Sequence, residues 1–148
     1  MTPEESHKLS GMKTSLVKWF EPVLAIIIAL AGFFTVKEVL PSSIYFIMAA
    51  LAGIYFFPVK MFMNGDKTLK DNQSGFGFLL TSITTSLLVF LSIVVIYLPG
   101  SGLFRNILIL VSLLNLGQFF YYLWDKRTYE IAILHFCTAC ISAVALYI

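Results

Sequence analysis

The sequence predicts an all-α fold, a polytopic bundle of transmembrane helices that forms a single domain over residues 1–148. Hydrophobic residues make up 59% of the chain and charged residues only 12%, whereas a soluble domain averages about 25% charged residues. The apolar residues also occur in continuous runs of about 20, the length that an α-helix needs to cross a bilayer. A β-barrel would instead show alternating segments of about ten residues.

Five apolar runs are separated by turns or charged residues, and each run predicts one membrane span. The predicted spans lie at about 17–36, 44–63, 76–97, 103–124 and 131–148. Pro22 falls in the opening turn of the first span, where proline is tolerated, and Pro58 is expected to kink the second. In a four-span alternative, the last run folds back or lies peripherally. This alternative stays open because it leaves every lysine on the same side of the membrane as the five-span model does, but it leaves 18 apolar residues without a bilayer.

The residues before the first span predict a short amphipathic helix that lies in the membrane interface. Thr2, Pro3 and Glu5 form a helix-start pattern. Apolar side chains then recur at helical spacing between lysines, at positions 9, 12, 16 and 19. A frayed polar tail is the alternative, because Gly11 weakens a helix.

The positions of the basic residues predict the orientation of the bundle. Lys and Arg collect in the cytoplasmic loops of membrane proteins. With five spans and a cytoplasmic N-terminus, Lys37 and Arg105 face outwards, and the remaining basic residues lie inside: Lys8, Lys13, Lys18, Lys60, Lys67, Lys70, Lys126 and Arg127. We therefore expect a multi-pass protein of a bacterial-type inner membrane, with the N-terminus in the cytoplasm and the C-terminus outside.

The long polar segment at residues 60–75 is predicted to be a cytoplasmic loop between the second and third spans. Its length and charge make it a candidate surface for docking a partner. The charged residues that would contact the partner are Lys60, Asp66, Lys67, Lys70 and Asp71.

Small residues on the first two spans and polar residues on the last three predict how the helices associate. In lipid, helices pack through small residues and interhelical hydrogen bonds. The small residues are Ala25, Ala29, Gly32, Ala49 and Gly53. The polar residues are Thr81, Thr85 and Ser92 on the third span, Ser112, Asn115, Gln118 and Tyr122 on the fourth, and His135, Thr138 and Ser142 on the fifth.

These polar side chains support two interpretations. They predict either packing through interhelical hydrogen bonds or a small polar path among spans three to five. Asn115 and Gln118 favour the path, because each amide needs several hydrogen-bond partners. His135 is ionisable and lies well inside a span, which makes it a functional candidate. No acidic residue accompanies it there, so we expect a histidine bonded to Asn115 or to a threonine rather than a proton relay.

The two cysteines, Cys137 and Cys140, have the spacing of a redox pair. They lie in the middle of a predicted span, away from the helix N-terminus or the cation that activates a thiol. They also supply at most two of the four ligands that zinc takes. We therefore expect packing residues and regard redox or metal chemistry at this pair as a weak alternative.

These patterns together predict a small non-enzymatic integral membrane protein without a cofactor, working as an oligomer or as a partner-bound subunit of a membrane complex. The sequence contains no phosphate-binding glycine loop, no zinc-protease motif and no serine-nucleophile motif. No basic and aromatic cluster suggests nucleic-acid binding. The alternatives are a small transporter or pore that uses the polar path, and a membrane thiol redox or metal-handling protein that uses Cys137 and Cys140.

Overall fold

The computed structural model describes the backbone of residues 3–64, 75–98, 100–124 and 129–147, and the side chains of residues 19–62, 76–98, 100–124 and 129–147. The described residues form six α-helices and no strand. The helices are α1 (Pro3–Val36), α2 (Ser42–Ile54), α3 (Lys60–Asn64), α4 (Gly75–Tyr97), α5 (Gly102–Trp124) and α6 (Tyr129–Tyr147). A π-helical turn, Tyr55–Val59, joins α2 to α3.

Five helical stretches are long and apolar enough to cross a membrane, which confirms the predicted helical bundle. They are Trp19–Val36, Ser42–Phe62, Phe76–Tyr97, Gly102–Trp124 and Tyr129–Tyr147. The last of them has 19 residues. Its mean hydropathy of 1.7 equals that of the stretches in α2–α3 and α5. The final apolar run therefore has the length and composition of a span.

The N-terminal helix differs from the prediction. Instead of a short helix followed by a separate span, residues 3–36 form one continuous helix, and Pro22 lies inside it rather than in its opening turn. A proline inside a helix removes one backbone hydrogen bond and pushes against the preceding turn. The apolar run on its C-terminal side continues the helix past this local defect.

Pro58 produces a widened turn within the second span. Because proline has no N–H to donate, the chain around it forms the π-helical turn Tyr55–Val59 instead of regular α-helix. Just before this turn, the Ser86 hydroxyl of α4 donates a hydrogen bond to the Gly53 carbonyl at 2.8 Å. A side chain of a neighbouring helix therefore satisfies a backbone group beside the irregular turn.

Helices α4 and α6 lie at the centre of the bundle. Helix α4 contacts α2, α5 and α6, whereas α6 contacts α1, α4 and α5. Helix α1 closes the bundle by packing against both α2 and α6. The apolar stretch of α4 is accordingly 61% buried, whereas those of α1, α2–α3 and α5 are 28% buried.

Contacts at the helix ends show that helices adjacent in the chain run antiparallel. Glu21 of α1 pairs with Lys60 of α3, whose ammonium lies over the Phe78 ring of α4. Thr81 of α4 contacts Tyr122 near the end of α5. We call this the Lys60 end of the bundle. The opposite end carries the residues on the other side of each span, among them Lys37, Ser42, Tyr97, Arg105 and Tyr147.

The predicted small residues lie at close helix contacts. Ala25 and Ala49 are fully buried in the main apolar cluster, which also holds Ile28, Phe56 and Val89. A Cβ added at Gly53 would lie 2.7 Å from the ring of Phe90 on α4, which is shorter than a van der Waals contact. The absence of a side chain at Gly53 therefore leaves room for the Phe90 ring against α2.

Candidate functional site

A buried polar cluster joins the three C-terminal helices, and Asn115 lies at its centre. The Asn115 Nδ2 donates to the carbonyl of His135 at 2.7 Å. The Thr138 hydroxyl lies 3.2 Å from Asn115 Oδ1 and, within its own helix, 3.0 Å from the carbonyl of His135 and 3.1 Å from that of Leu134. His135 Nδ1 lies 2.6 Å from the same Oδ1. Asn115, His135 and Thr138 are all 0% exposed. The structure thus places His135 against Asn115, the partner expected from the sequence.

These contacts determine the tautomer of His135. The carbonyl of His135 can only accept a hydrogen bond, so the Asn115 amide must present its NH₂ group to that carbonyl. Its Oδ1 therefore faces the imidazole, and Nδ1 must carry the proton that it donates to Oδ1. In the neutral ring, Nε2 is then the acceptor, and it faces Thr81 of α4 at 3.4 Å.

Tyr122 and Thr81 extend the cluster towards the Lys60 end. The Thr81 hydroxyl lies 3.3 Å from the Tyr122 hydroxyl, which also donates to the Gly77 carbonyl at 3.4 Å. The Tyr122 ring stacks on the His135 ring with their centroids 5.5 Å apart and an angle of 6° between the planes. A continuous chain of polar groups therefore runs from Tyr122 through Thr81 and His135 to Asn115.

Gln118 joins α5 to α4 through a residue that the sequence analysis did not select. The Thr84 hydroxyl lies 3.2 Å from Gln118 Oε1 and 2.8 Å from the carbonyl of Leu80 in its own helix. The signal for Thr84 was present, because polar residues surround the helix at positions 81, 82, 84, 85 and 86. Thr84 lies on a different face of the helix from Thr81, Thr85 and Ser92.

Three of the predicted path residues make no side-chain bond to another helix among the described residues. The Ser112 hydroxyl donates to the Leu108 carbonyl at 2.6 Å and the Ser142 hydroxyl to the Ala139 carbonyl at 2.8 Å, each within its own helix. Thr85 is fully buried, and its hydroxyl has no hydrogen-bond partner among the described residues. The hydroxyl of Ser82 is likewise buried and has no hydrogen-bond partner among the described residues.

Lys60 is a helical residue and not the loop residue that the sequence analysis assigned to the docking surface. It begins α3 and is 8% exposed, and its ammonium lies 2.6 Å from Glu21 Oε2. The widened turn at Pro58 continues the helix through this position. The other four docking candidates lie outside the described residues: Asp66, Lys67, Lys70 and Asp71.

The Lys60–Glu21 pair is the single ion pair within the described part of the chain. Its two side chains are 9% and 17% exposed, and the ammonium also lies 5.1 Å from the centroid of the Phe78 ring. Two opposite charges at the same end of consecutive predicted spans could have suggested this pair from the sequence. The pair joins α1 to α3.

The cysteine pair is present as free thiols. Cys137 is buried in the main apolar cluster, and Cys140 is half-buried. Among the residues with described side chains, no group of three or more His, Cys, Asp or Glu residues is placed to hold a metal ion. The structure therefore gives these cysteines apolar surroundings and no third ligand within the described residues.

The cluster can hold protons in fixed positions and lock three helices in register. Asn115 lies nine residues before the end of α5, and His135 lies six residues after the start of α6. By helical rise, these distances place the cluster about 9 to 13 Å from the helix ends.

Comparisons of this chain with known proteins were made at three levels. Protein-family models, curated proteins and solved structures give no match.

Proposed function

We propose that this chain is a small, non-enzymatic integral membrane protein that works as an oligomer or as a partner-bound subunit of a membrane complex. In this proposal the buried polar cluster holds the bundle together, and the outward face of α5 contacts the partner. The five apolar helices support residence in a membrane. We assign it to an inner membrane with its N-terminus in the cytoplasm, as the distribution of basic residues suggests.

The hydrogen bonds of Asn115 support a structural role, because they join α5 to α6. Asn115 is bonded at both ends of its amide, and its partners are a backbone carbonyl, an imidazole and a threonine on α6. In lipid, such interhelical bonds contribute about 0.6 to 2 kcal/mol each. Three of the four hydrogen-bonding positions of this central amide are therefore used in holding α5 to α6.

The observation that carries the proposal is Gly117, which lies on the exposed face of α5. A Cβ added there would meet nothing within 4 Å. Glycine costs a helix about 1 kcal/mol relative to alanine, and here it gives no close contact within the bundle in return. Large side chains surround it on the same face, each more than half exposed: Leu113, Leu114, Phe120 and Tyr121. In membranes, small residues at the interface between two helices let their backbones approach closely. The notch at Gly117 therefore offers a surface for a second transmembrane helix.

Photo-cross-linking in intact membranes tests this contact. A photoreactive residue replaces Leu113 beside the notch or, as the control, Val23 on the exposed face of α1. We expect a discrete cross-linked species from position 113 and none from position 23. Substituting Gly117→Ile should remove that species without lowering the melting temperature, because a Cβ at this position meets none of the described residues and isoleucine has a higher helix propensity than glycine.

Two results would contradict the proposal. One is a chain that stays monomeric and uncross-linked at position 113 in its native membrane. The other is a cross-linked species whose yield is the same in the Gly117→Ile variant. The identity of the species, a second copy or another protein, decides between oligomer and partner-bound subunit.

A second candidate is a small transporter or pore, and the hydroxyl of Thr85 favours it. This hydroxyl is fully buried and has no partner among the described residues, although an unpaired buried polar group costs about 1 to 3 kcal/mol. It lies one helical turn from Thr81, on the same face of α4. Water or a transported solute passing between α4 and α6 would satisfy it.

Proteoliposome flux of protons and small solutes tests this second candidate with Thr85→Val. The variant keeps the shape of the side chain and breaks no hydrogen bond of the bundle, so the protein should fold normally. If the path exists, flux should fall, whereas Ser112→Ala, which loses a bond within its own helix, should leave flux unchanged. Equal flux through the wild type and Thr85→Val would remove this candidate.

A further inference from the structure

A groove between α1 and α6 opens at the end of the bundle opposite Lys60. Its volume is about 360 Å³, within the usual range of roughly 300 to 1,000 Å³ for small-molecule sites. The walls are apolar and come from both helices, and the lining residues are Phe33, Val36, Lys37, Ala143, Val144 and Tyr147. An occupant of this groove must therefore be largely apolar.

Gly32 explains where the groove ends. A Cβ added to this residue would lie 3.5 Å from Val144 Cγ1 and 3.2 Å from the Tyr45 ring. At that level α1, α2 and α6 are in close contact, and the groove is closed. One turn further on, α1 ends at Val36 and the chain turns away through Glu38, whose φ of 59° is left-handed. The lining residues therefore extend over about one helical turn of each wall, from Phe33 to Lys37 and from Ala143 to Tyr147.

Lys37 places a positive charge at the mouth of this apolar groove. It directly follows the apolar stretch Trp19–Val36, and its ammonium lies 5.9 Å from the centroid of the Phe33 ring in the groove wall. No carboxylate within the described residues pairs with it, since the ion pair found there joins Lys60 and Glu21. Tyr147 lies at the same level on α6 and is 78% exposed, as is typical of an aromatic side chain at the headgroup level.

A second surface groove provides a comparison. It lies at the same end between α2 and α4, has a volume of about 580 Å³, and is lined by apolar residues together with Ser42, Ser43 and Tyr97. No charged residue lines it. Only the α1–α6 groove, of the two, combines an apolar channel with a cation at its mouth.

We propose that the groove between α1 and α6 binds one phospholipid with an anionic headgroup. The segment of one acyl chain nearest the headgroup lies in the groove between Phe33 and Val144, and the headgroup phosphate pairs with Lys37. Charge complementarity selects this occupant, because the opening lies where the apolar stretch ends and there presents an unpaired ammonium. The inference is independent of the α5 contact proposed above.

Lipid retention measures this binding directly. The full chain is purified in mild detergent with equal amounts of phosphatidylglycerol and phosphatidylcholine that carry the same acyl chains, and the retained lipids are quantified by mass spectrometry. We expect the wild type to retain phosphatidylglycerol preferentially. Lys37→Gln should lower that preference about fivefold, the effect of one basic residue near anionic lipid. Ala143→Phe, which fills the groove, should lower the retention of both lipids.

Two control variants separate the groove from general effects of charge and bulk. Arg105→Gln removes the other basic residue of this end, which donates to the Leu146 carbonyl and does not line the groove. Leu110→Phe adds bulk to an exposed position of α5. Both should retain lipid as the wild type does.

Any of four results would overturn the proposal. The first is equal retention of the two lipids by the wild type, and the second is an unchanged preference for phosphatidylglycerol in Lys37→Gln. The third comes from competition: glycerol phosphate added to the purified protein displaces the bound lipid as effectively as a whole phospholipid does. The fourth is a cross-link from a photoreactive residue at position 143 to a second copy of the chain instead of to lipid. Lys37 is exposed, so its variant tests the charge even if Ala143→Phe fails to fold.

Discussion

Replacing Asn115 with leucine tests whether the buried polar cluster holds the bundle together. Asn115 takes part in three hydrogen bonds to α6, with the carbonyl and Nδ1 of His135 and with the hydroxyl of Thr138. The Asn115→Leu variant keeps the approximate volume but loses all three bonds. It also leaves the Nδ1–H of His135 fully buried without its acceptor.

The expected cost follows from these contacts. Interhelical hydrogen bonds contribute about 0.6 to 2 kcal/mol each, and an unpaired buried donor costs about 1 to 3 kcal/mol. The apolar leucine recovers part of this loss, because the surroundings of α5 and α6 are themselves largely apolar. We therefore expect the free energy of unfolding to fall by about 2 to 4 kcal/mol.

Reversible unfolding in mixed micelles, followed by circular dichroism as the denaturing detergent is titrated, measures this free energy. Ser112→Ala is the matched control, because the Ser112 hydroxyl bonds only within α5; it should change stability by less than about 0.5 kcal/mol. His135→Phe completes a double-mutant cycle, in which the coupling with Asn115→Leu should be about 1 kcal/mol or more. A variant as stable as Ser112→Ala, or a cycle whose two effects simply add, would refute the reasoning.

Three further predictions concern the ion pair, the helix contact and the orientation. Lys60→Met should destabilise the protein by about 1 to 3 kcal/mol, because it removes the ion-pair partner of the half-buried Glu21. Adding Glu21→Leu should restore most of the loss in the same titration, and no recovery would mean that the two residues are not coupled. Gly53→Ala should cost a net of about 1 kcal/mol, because the new Cβ would lie 2.7 Å from the outer part of the Phe90 ring while alanine regains about 1 kcal/mol of helix propensity; a melting temperature above that of the wild type would contradict that packing. A reporter fused after Ile148 should be active outside the cytoplasm if the chain crosses five times; a cytoplasmic reporter would remove this orientation.

The helices were predictable because their signal is local. Composition and the length of each apolar run depend on neighbouring residues alone, and they were sufficient to predict five helices of membrane-spanning length. The continuation of α1 through Pro22 was not predictable in the same way. A proline raises the cost of a helix by an amount that the residues on either side can offset, and local rules do not say which effect prevails.

The polar cluster was predictable in its members and not in its bonds. Helical spacing identified Asn115, His135 and Thr138 as inward residues, and the structure joins them. The same spacing also selected Ser112 and Ser142, whose hydroxyls bond back to their own helices. A short hydroxyl side chain can reach the carbonyl one turn earlier, so its position on an inward face does not decide which partner it takes.

The sequence by itself determined that this chain forms long apolar helices and which faces of them carry polar groups. The tertiary structure decided which of those groups meet, pairing Lys60 with Glu21 and leaving Thr85 without a partner among the described residues. The physical reason is that hydropathy is a property of each helical segment alone, whereas a hydrogen bond between two helices depends on how they are rotated and shifted along their axes relative to each other. Close packing at small residues such as Gly32 and Gly53 determines that rotation and shift.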